Sequence, residues 1–143
     1  MDIRHLTDSY AVSPQIGPEH LAALHEAGFT TIIDNRPDAE IPADLHAARM
    51  RAAAEAAGFR FVLNPVIGGA ITMENVTVQG EAIATADGPV LAYCASGNRS
   101  SIVWALSQAG THPTSDMIAS AARWGYNLEP LRPQIDALAK GAE

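Results

Sequence analysis

At 143 residues, 48% of them hydrophobic, the chain is long enough to bury a real core and too apolar to be disordered. Nine Lys+Arg against 16 Asp+Glu leave a net charge of −7, which argues against nucleic acid or a membrane surface as partner. The single cysteine, Cys94, excludes an internal disulfide, and no apolar run approaches membrane-spanning length.

The start, Met1-Asp2-Ile3-Arg4-His5, is charged and no signal-type apolar core follows it. With one unpaired thiol, this makes a cytoplasmic chain the expectation. No repeat or linker divides the sequence, so residues 1–143 are expected to form one domain. The five histidines are scattered, with no pair at ligand spacing, and neither a metal nor a cofactor is expected.

In chain order, Tyr10-Ala11-Val12-Ser13 reads as a first strand. Gly17-Pro18-Glu19 opens a helix that carries Leu21 and Leu24 on one face and stops at Gly28. Thr30 to Asp34 is β-branched and reads as a buried strand, closed by the polar turn Asn35-Arg36-Pro37-Asp38. An alanine-rich helix follows from Asp44 to Ala57, with Asp44 as its expected cap. Phe59 to Leu63 is the third strand, and Asn64 to Gly69 its exit loop. Thr72, with Asn75 three residues on, caps a helix running to Ala86. Pro89 to Tyr93 is the fourth strand. Three helical stretches complete the chain, marked by Ile102–Leu106, Met117–Ala121 and Leu131–Leu138.

Strands alternating with helices imply an α/β fold: a mostly parallel sheet of about four strands, flanked by helices on both faces. Ligands of such sheets sit beyond the carboxyl ends of the strands. Three loops meet at that edge: Asn35 to Asp38, Asn64 to Gly69, and Cys94 to Arg99.

The third of these carries the chemistry. Cys94 stands where a strand ends, followed by Ala95-Ser96-Gly97-Asn98, then Arg99 and Ser100 as a helix begins. Loop N–H groups and a helix N-terminus favour a thiolate, the nucleophilic form of cysteine. Gly97 suits a backbone that takes positive φ, and Arg99 is a planar donor matched to oxyanions. Ser100 is read as a donor to the thiolate or to a loop carbonyl. Arg36, Asp34, Asp38, Gly68 and Gly69 are the other candidate pocket residues, with Arg36 read chiefly as an ion-pair partner of Asp38 or Glu40.

The loop Cys94 to Ser100 resembles that of the phosphatase-like domain of beta-lactamase-hydrolase-like proteins. Ile3 to Thr7, Ile33 to Asp38, Gly88 to Cys94 and the tail around Gly125-Tyr126 match the same pattern. The resemblance implies a cysteine-phosphatase-like fold, Cys94 as nucleophile and Arg99 as anion clamp. Members of the family are described both as phosphatases and as sulfurtransferases. Some are fused to a metallo-beta-lactamase-type domain of the kind that oxidises persulfides.

Three departures from the pattern bear on the chemistry. Four residues separate Cys94 from Arg99, where cysteine phosphatases have five and rhodanese-type sulfurtransferases four. Ile67-Gly68-Gly69 stands where related phosphatases often carry an acidic residue, leaving Asp34 or Asp38 as substitutes. Ala95 replaces the basic residue that often follows the cysteine. The favoured expectation is a sulfurtransferase that forms a Cys94 persulfide from thiosulfate or a polysulfide. It would hand the sulfur to a thiol or protein acceptor, such as a persulfide-oxidising metallo-beta-lactamase-type protein. The alternatives are a phosphatase working through a phosphocysteine, and an anion-binding module without turnover.

Overall fold

In the computed structural model, which describes residues 1–141, five strands form one sheet. They are β1 (Arg4–His5), β2 (Tyr10–Ser13), β3 (Thr31–Asp34), β4 (Arg60–Leu63) and β5 (Val90–Tyr93), in the order β1-β2-β5-β3-β4. The last four are parallel, as the alternation of strands and helices requires. β1, antiparallel to β2, is a fifth strand beyond the four expected. Its two residues are too few for any periodicity to reveal it.

Helices cover both faces. On one lie α1 (Leu21–Glu26) and α2 (Ala47–Ala56), whose Leu24, Met50 and Ala54 pack on Ile32, Leu91 and Tyr93. On the other lie α3 (Met73–Ala84), α4 (Asn98–Ser107), α5 (Thr114–Ala122) and α6 (Arg132–Gly141). Here Val103, Trp104, Met117 and Ile135 bury against Val12, Ile33 and Ala92. Each such aliphatic side chain contributes roughly 1.5–3 kcal/mol, which is what holds the helices to the sheet. Among the described residues no helix is long and apolar enough to cross a membrane.

Thr72 and Asn75 form the expected capping box on α3. The cap of α2 differs from the expectation. Asp44 lies in a preceding 3₁₀ turn, and the N–H of Ala47 is taken by Asp38 Oδ1 at 2.8 Å. The cap is supplied from nine residues upstream because two turns, Asp38–Glu40 and Ala43–Leu45, fold the segment back on itself.

Register determines where the chemistry sits. The final residues of the parallel strands, Ser13, Tyr93, Asp34 and Leu63, lie in one row across the sheet. The ladder then runs one residue further: Cys94 N–H donates to Ser13 O (3.4 Å), Asn35 to Tyr93 O (2.9 Å) and Asn64 to Asp34 O (2.9 Å). Cys94, Asn35 and Asn64 therefore stand side by side at the carboxyl edge. The chain crosses the sheet outward through α1 and α2 and returns through α3 on the opposite face, inserting β5 between β2 and β3. Such a reversal is where open α/β sheets bind ligands.

Candidate active site

Cys94 follows β5 directly and is 1% exposed. The chain leaves it through Ala95 and Ser96 and turns into α4 at Gly97, whose φ of +91° lies in the left-handed region. This turn brings the Gly97 N–H to within 3.1 Å of Cys94 Sγ. Gly97 is also the N-cap of α4 and has no side chain with which to cap it. Among the described residues, the N–H groups of Arg99 and Ser100 have no acceptor. They form an open helix N-terminus beside the sulfur, the arrangement that binds oxyanions.

Arg99 is held by three hydrogen bonds. Nη1 donates to Glu40 Oε2 and to Val66 O, and Nη2 to Glu40 Oε1, each at 2.8 Å. A guanidinium has five N–H groups in a fixed fork. With both Nη1 hydrogens and one of Nη2 engaged, Nε–H and the other Nη2 hydrogen remain along one edge, spaced for two oxygens of an anion. Hydrogen bonds to Glu40 hold the Arg99 guanidinium even further above the ordinary arginine value, and the nearby Cys94 sulfur adds to that push. The same pair holds Glu40 below the usual carboxylate range, so it stays ionised.

Ser100 does not reach the sulfur, contrary to the sequence reading. Its buried Oγ donates to Asn35 Oδ1 at 2.9 Å, because the first turn of α4 points it down at the sheet edge. There it joins a buried amide network. Gln79 Nε2 donates to Tyr10 Oη (3.0 Å) and Asn35 Oδ1 (3.2 Å), while its Oε1 accepts from Asn35 and Asn64 (2.9 Å each). Tyr10 Oη closes the ring by donating to Ser100 O at 2.9 Å. This network fastens the exit loops of β3 and β4 to the helix that carries Arg99.

The remaining candidates separate. Arg36 pairs with Glu40 at 3.3 Å, as the ion-pair reading held. Asp38 is occupied as the cap of α2. Asp34 is fully buried, with Oδ1 accepting the Arg36 N–H at 2.9 Å. Burial pushes its carboxyl up to about 6. Its Oδ2 and the hydroxyl of Tyr93, its register partner in β5, are both buried without a hydrogen-bond partner. Gly68 and Gly69 are exposed, and Gly69 borders a separate hollow lined by Ile71, Ile102, Leu106 and Leu131. Neither Asp34 nor Asp38 is presented to the sulfur as a free acid.

Residues 2–111 match the model of the beta-lactamase hydrolase-like protein, phosphatase-like domain. The chain belongs to this family. It is 35% identical over 108 residues to a beta-lactamase hydrolase-like protein of Xylella fastidiosa, an alignment covering 76% of the chain and 25% of that protein. A relative of the same description in Agrobacterium fabrum is 33% identical over 127 residues, covering 80% of the chain and 30% of that protein. The chain thus spans about a quarter to a third of the length of these relatives. Among solved structures, a candidate phosphatase of Neisseria meningitidis Z2491 superposes with a TM-score of 0.80 at 33% identity, covering 96% of this chain and 99% of that one. PTPMT1 in complex with PI(5)P shares the fold at a TM-score of 0.79, with 13% identity and coverage of 97% and 95%. The fold is that of the cysteine phosphatases.

Three residues that this phosphatase-like domain brings to its loop escaped the sequence reading: Glu40, Tyr126 and Arg4. Glu40 was weighed only as a partner of Arg36, and it binds both arginines. Tyr126 enters the sequence reading only as part of the resembling tail, yet its hydroxyl donates to Ser96 O at 2.7 Å. Arg4 Nη1 donates to that hydroxyl at 2.6 Å. Ile3-Arg4-His5 lies within the matched residues 2–111 and Gly125-Tyr126 beyond them, and nothing in either segment says that they meet.

Proposed function

We propose that the chain is a cysteine-dependent phosphatase acting on phosphomonoesters. The observation that carries this is the free Nε/Nη2 edge of Arg99, held by Glu40 and Val66 beside Cys94. It supplies a fork for two phosphoryl oxygens, and the open N–H groups of α4 supply donors for the third. The relatives with the same fold, the Neisseria protein above all, support phosphoryl over sulfur chemistry.

In this mechanism the Cys94 thiolate attacks phosphorus as the bond to the ester oxygen breaks. The departing oxygen keeps the electron pair and takes a proton from water. Water then attacks the phosphocysteine, releasing phosphate and restoring the thiolate. Arg99 and the loop N–H groups hold the equatorial oxygens through both steps. Asp38 caps α2, Asp34 is buried and Glu40 is held ionised. Aryl esters, whose leaving group departs without a general acid, are therefore the favoured class.

The four-residue loop favours a second reading, transfer of sulfur through a Cys94 persulfide. One experiment separates the two. Wild type is expected to hydrolyse an aryl phosphate, and Cys94→Ser to have no turnover. Uptake of one sulfur from thiosulfate or polysulfide, read by intact mass and lost in Cys94→Ser, without phosphate release, would reverse the assignment.

A further inference from the structure

Ser96 and Gly97 share one peptide unit, and its two ends are held from opposite sides. The N–H end, on Gly97, donates to Cys94 Sγ at 3.1 Å. The carbonyl end, on Ser96, accepts from the Tyr126 hydroxyl at 2.7 Å. That hydroxyl accepts in turn from Arg4 Nη1 at 2.6 Å, and the same nitrogen reaches Ser96 O at 3.5 Å. A trans peptide points its N–H and C=O in opposite directions, so anchoring the carbonyl outward aims the N–H inward at sulfur.

We infer that Tyr126 and Arg4 are positioning residues that lock the Ser96–Gly97 peptide in its sulfur-donating orientation. Gly97 is the point at which this peptide could turn over, since a glycine accepts φ of either sign. Turned over, it would present the Ser96 carbonyl to the thiolate, replacing a donor by a repulsive dipole. Arg4 polarises the phenol, and a charge-assisted chain of this kind grips harder than a neutral bond. The inference rests on the reading of Cys94 as nucleophile and says what keeps its loop competent.

Neighbouring contacts agree with such a clasp. The Arg4 guanidinium lies over the Tyr126 ring at 5.5 Å and pairs with Asp2 at 2.5 Å. Trp124 Nε1 donates to His5 O at 2.9 Å, tying the Tyr126 segment back to β1. A Cβ on Gly97 would collide with the Tyr126 hydroxyl, so the phenol fills the space that this glycine leaves. The charged and titratable groups around the thiol are Arg99 with Glu40, Tyr10 from β2, Tyr126, and Arg4 with Asp2.

The test is alkylation of Cys94 by iodoacetamide from pH 5 to 9, read by intact mass on the full chain in phosphate-free buffer. Tyr126→Phe removes the hydroxyl alone. Its alkylation midpoint is expected to rise by about half to one pH unit, slowing the reaction roughly three- to tenfold on the acid side. Arg4→Lys, which keeps a cationic donor, is expected to shift the midpoint less. In ¹H–¹⁵N spectra the Gly97 amide should follow Cys94 ionisation in wild type and cease to do so in Tyr126→Phe. An unchanged midpoint in Tyr126→Phe, whatever its melting temperature, overturns the lock. Alkylation needs no turnover, so an absence of aryl phosphate hydrolysis would defeat the phosphatase reading and leave this one standing.

Discussion

Glu40 grips Arg99 end-on, with both carboxylate oxygens 2.8 Å from the guanidinium, and so determines which edge of the arginine is left for a ligand. Glu40→Gln keeps the shape but loses the charge and one acceptor. Its kcat/KM on an aryl phosphate is expected to fall about tenfold, with inhibition by free phosphate weakened in parallel. Arg99→Lys, which cannot form the fork, should lose about a hundredfold or more. Tighter phosphate inhibition in Glu40→Gln would mean that the carboxylate competes for Arg99 and does not orient it.

Ser100 bonds to Asn35 and leaves the sulfur alone. Ser100→Ala should therefore cost about 1 kcal/mol of stability in urea unfolding and change turnover by less than about threefold. Gln79→Leu removes four hydrogen bonds from the buried network. One buried N–H of Asn35 and one of Asn64 lose their acceptor, while each amide keeps a second bond, to Asn64 O and Asn75 O, and about 2–4 kcal/mol of destabilisation is expected. Full loss of activity in a well-folded Ser100→Ala protein would contradict this placement.

Asp38 caps α2 through one oxygen. Asp38→Asn retains that acceptor, so stability should stay within about 0.5 kcal/mol and the pH profile of turnover should not move. Asp38→Ala should lose about 1 kcal/mol. Disappearance of one limb of the pH–rate profile in Asp38→Asn would instead identify the residue as the general acid.

Asp34 makes stability depend on pH. Burial raises its carboxyl from the ordinary 3.8 to about 6, so the folded state holds the proton more tightly than the unfolded one. Its contribution is full below about pH 4 and is lost as pH rises through about 6, by up to about 3 kcal/mol at 1.36 kcal/mol per unit. Asp34→Asn keeps an oxygen for the Arg36 N–H and never ionises. Melting temperatures at pH 5 and pH 7.5 should show the variant gaining on wild type at the higher pH. Parallel behaviour of the two proteins would show that Asp34 does not titrate in this range.

Much of this architecture was written locally. The β-branched run at Thr31–Asp34 and the apolar run at Val90–Tyr93 form strands because their own side chains suit a pleated, buried surface. Thr72 caps its helix with a residue three positions away. The loop from Cys94 to Arg99 is likewise a local object, a strand end, a left-handed glycine and a helix start within six residues, so nucleophile and clamp were legible together. Sulfur transfer is suggested by the length of that loop and by Ile67-Gly68-Gly69 standing in place of an acid, whereas the family likeness and the geometry of Arg99 support phosphoryl chemistry.

The partners of the loop could not be read this way. Glu40 lies 59 residues from Arg99, Tyr126 lies 30 from Ser96, and Arg4 lies 122 from Tyr126. Their meeting depends on β5 entering between β2 and β3, on β1 folding back along β2, and on the 3₁₀ turn that swings Glu40 over the sheet edge. Short-range patterns specify which residues lie along an element and which face they share. Which elements become neighbours follows from burying both faces of the sheet at once, and that packing carries Glu40, Tyr126 and Arg4 to Cys94.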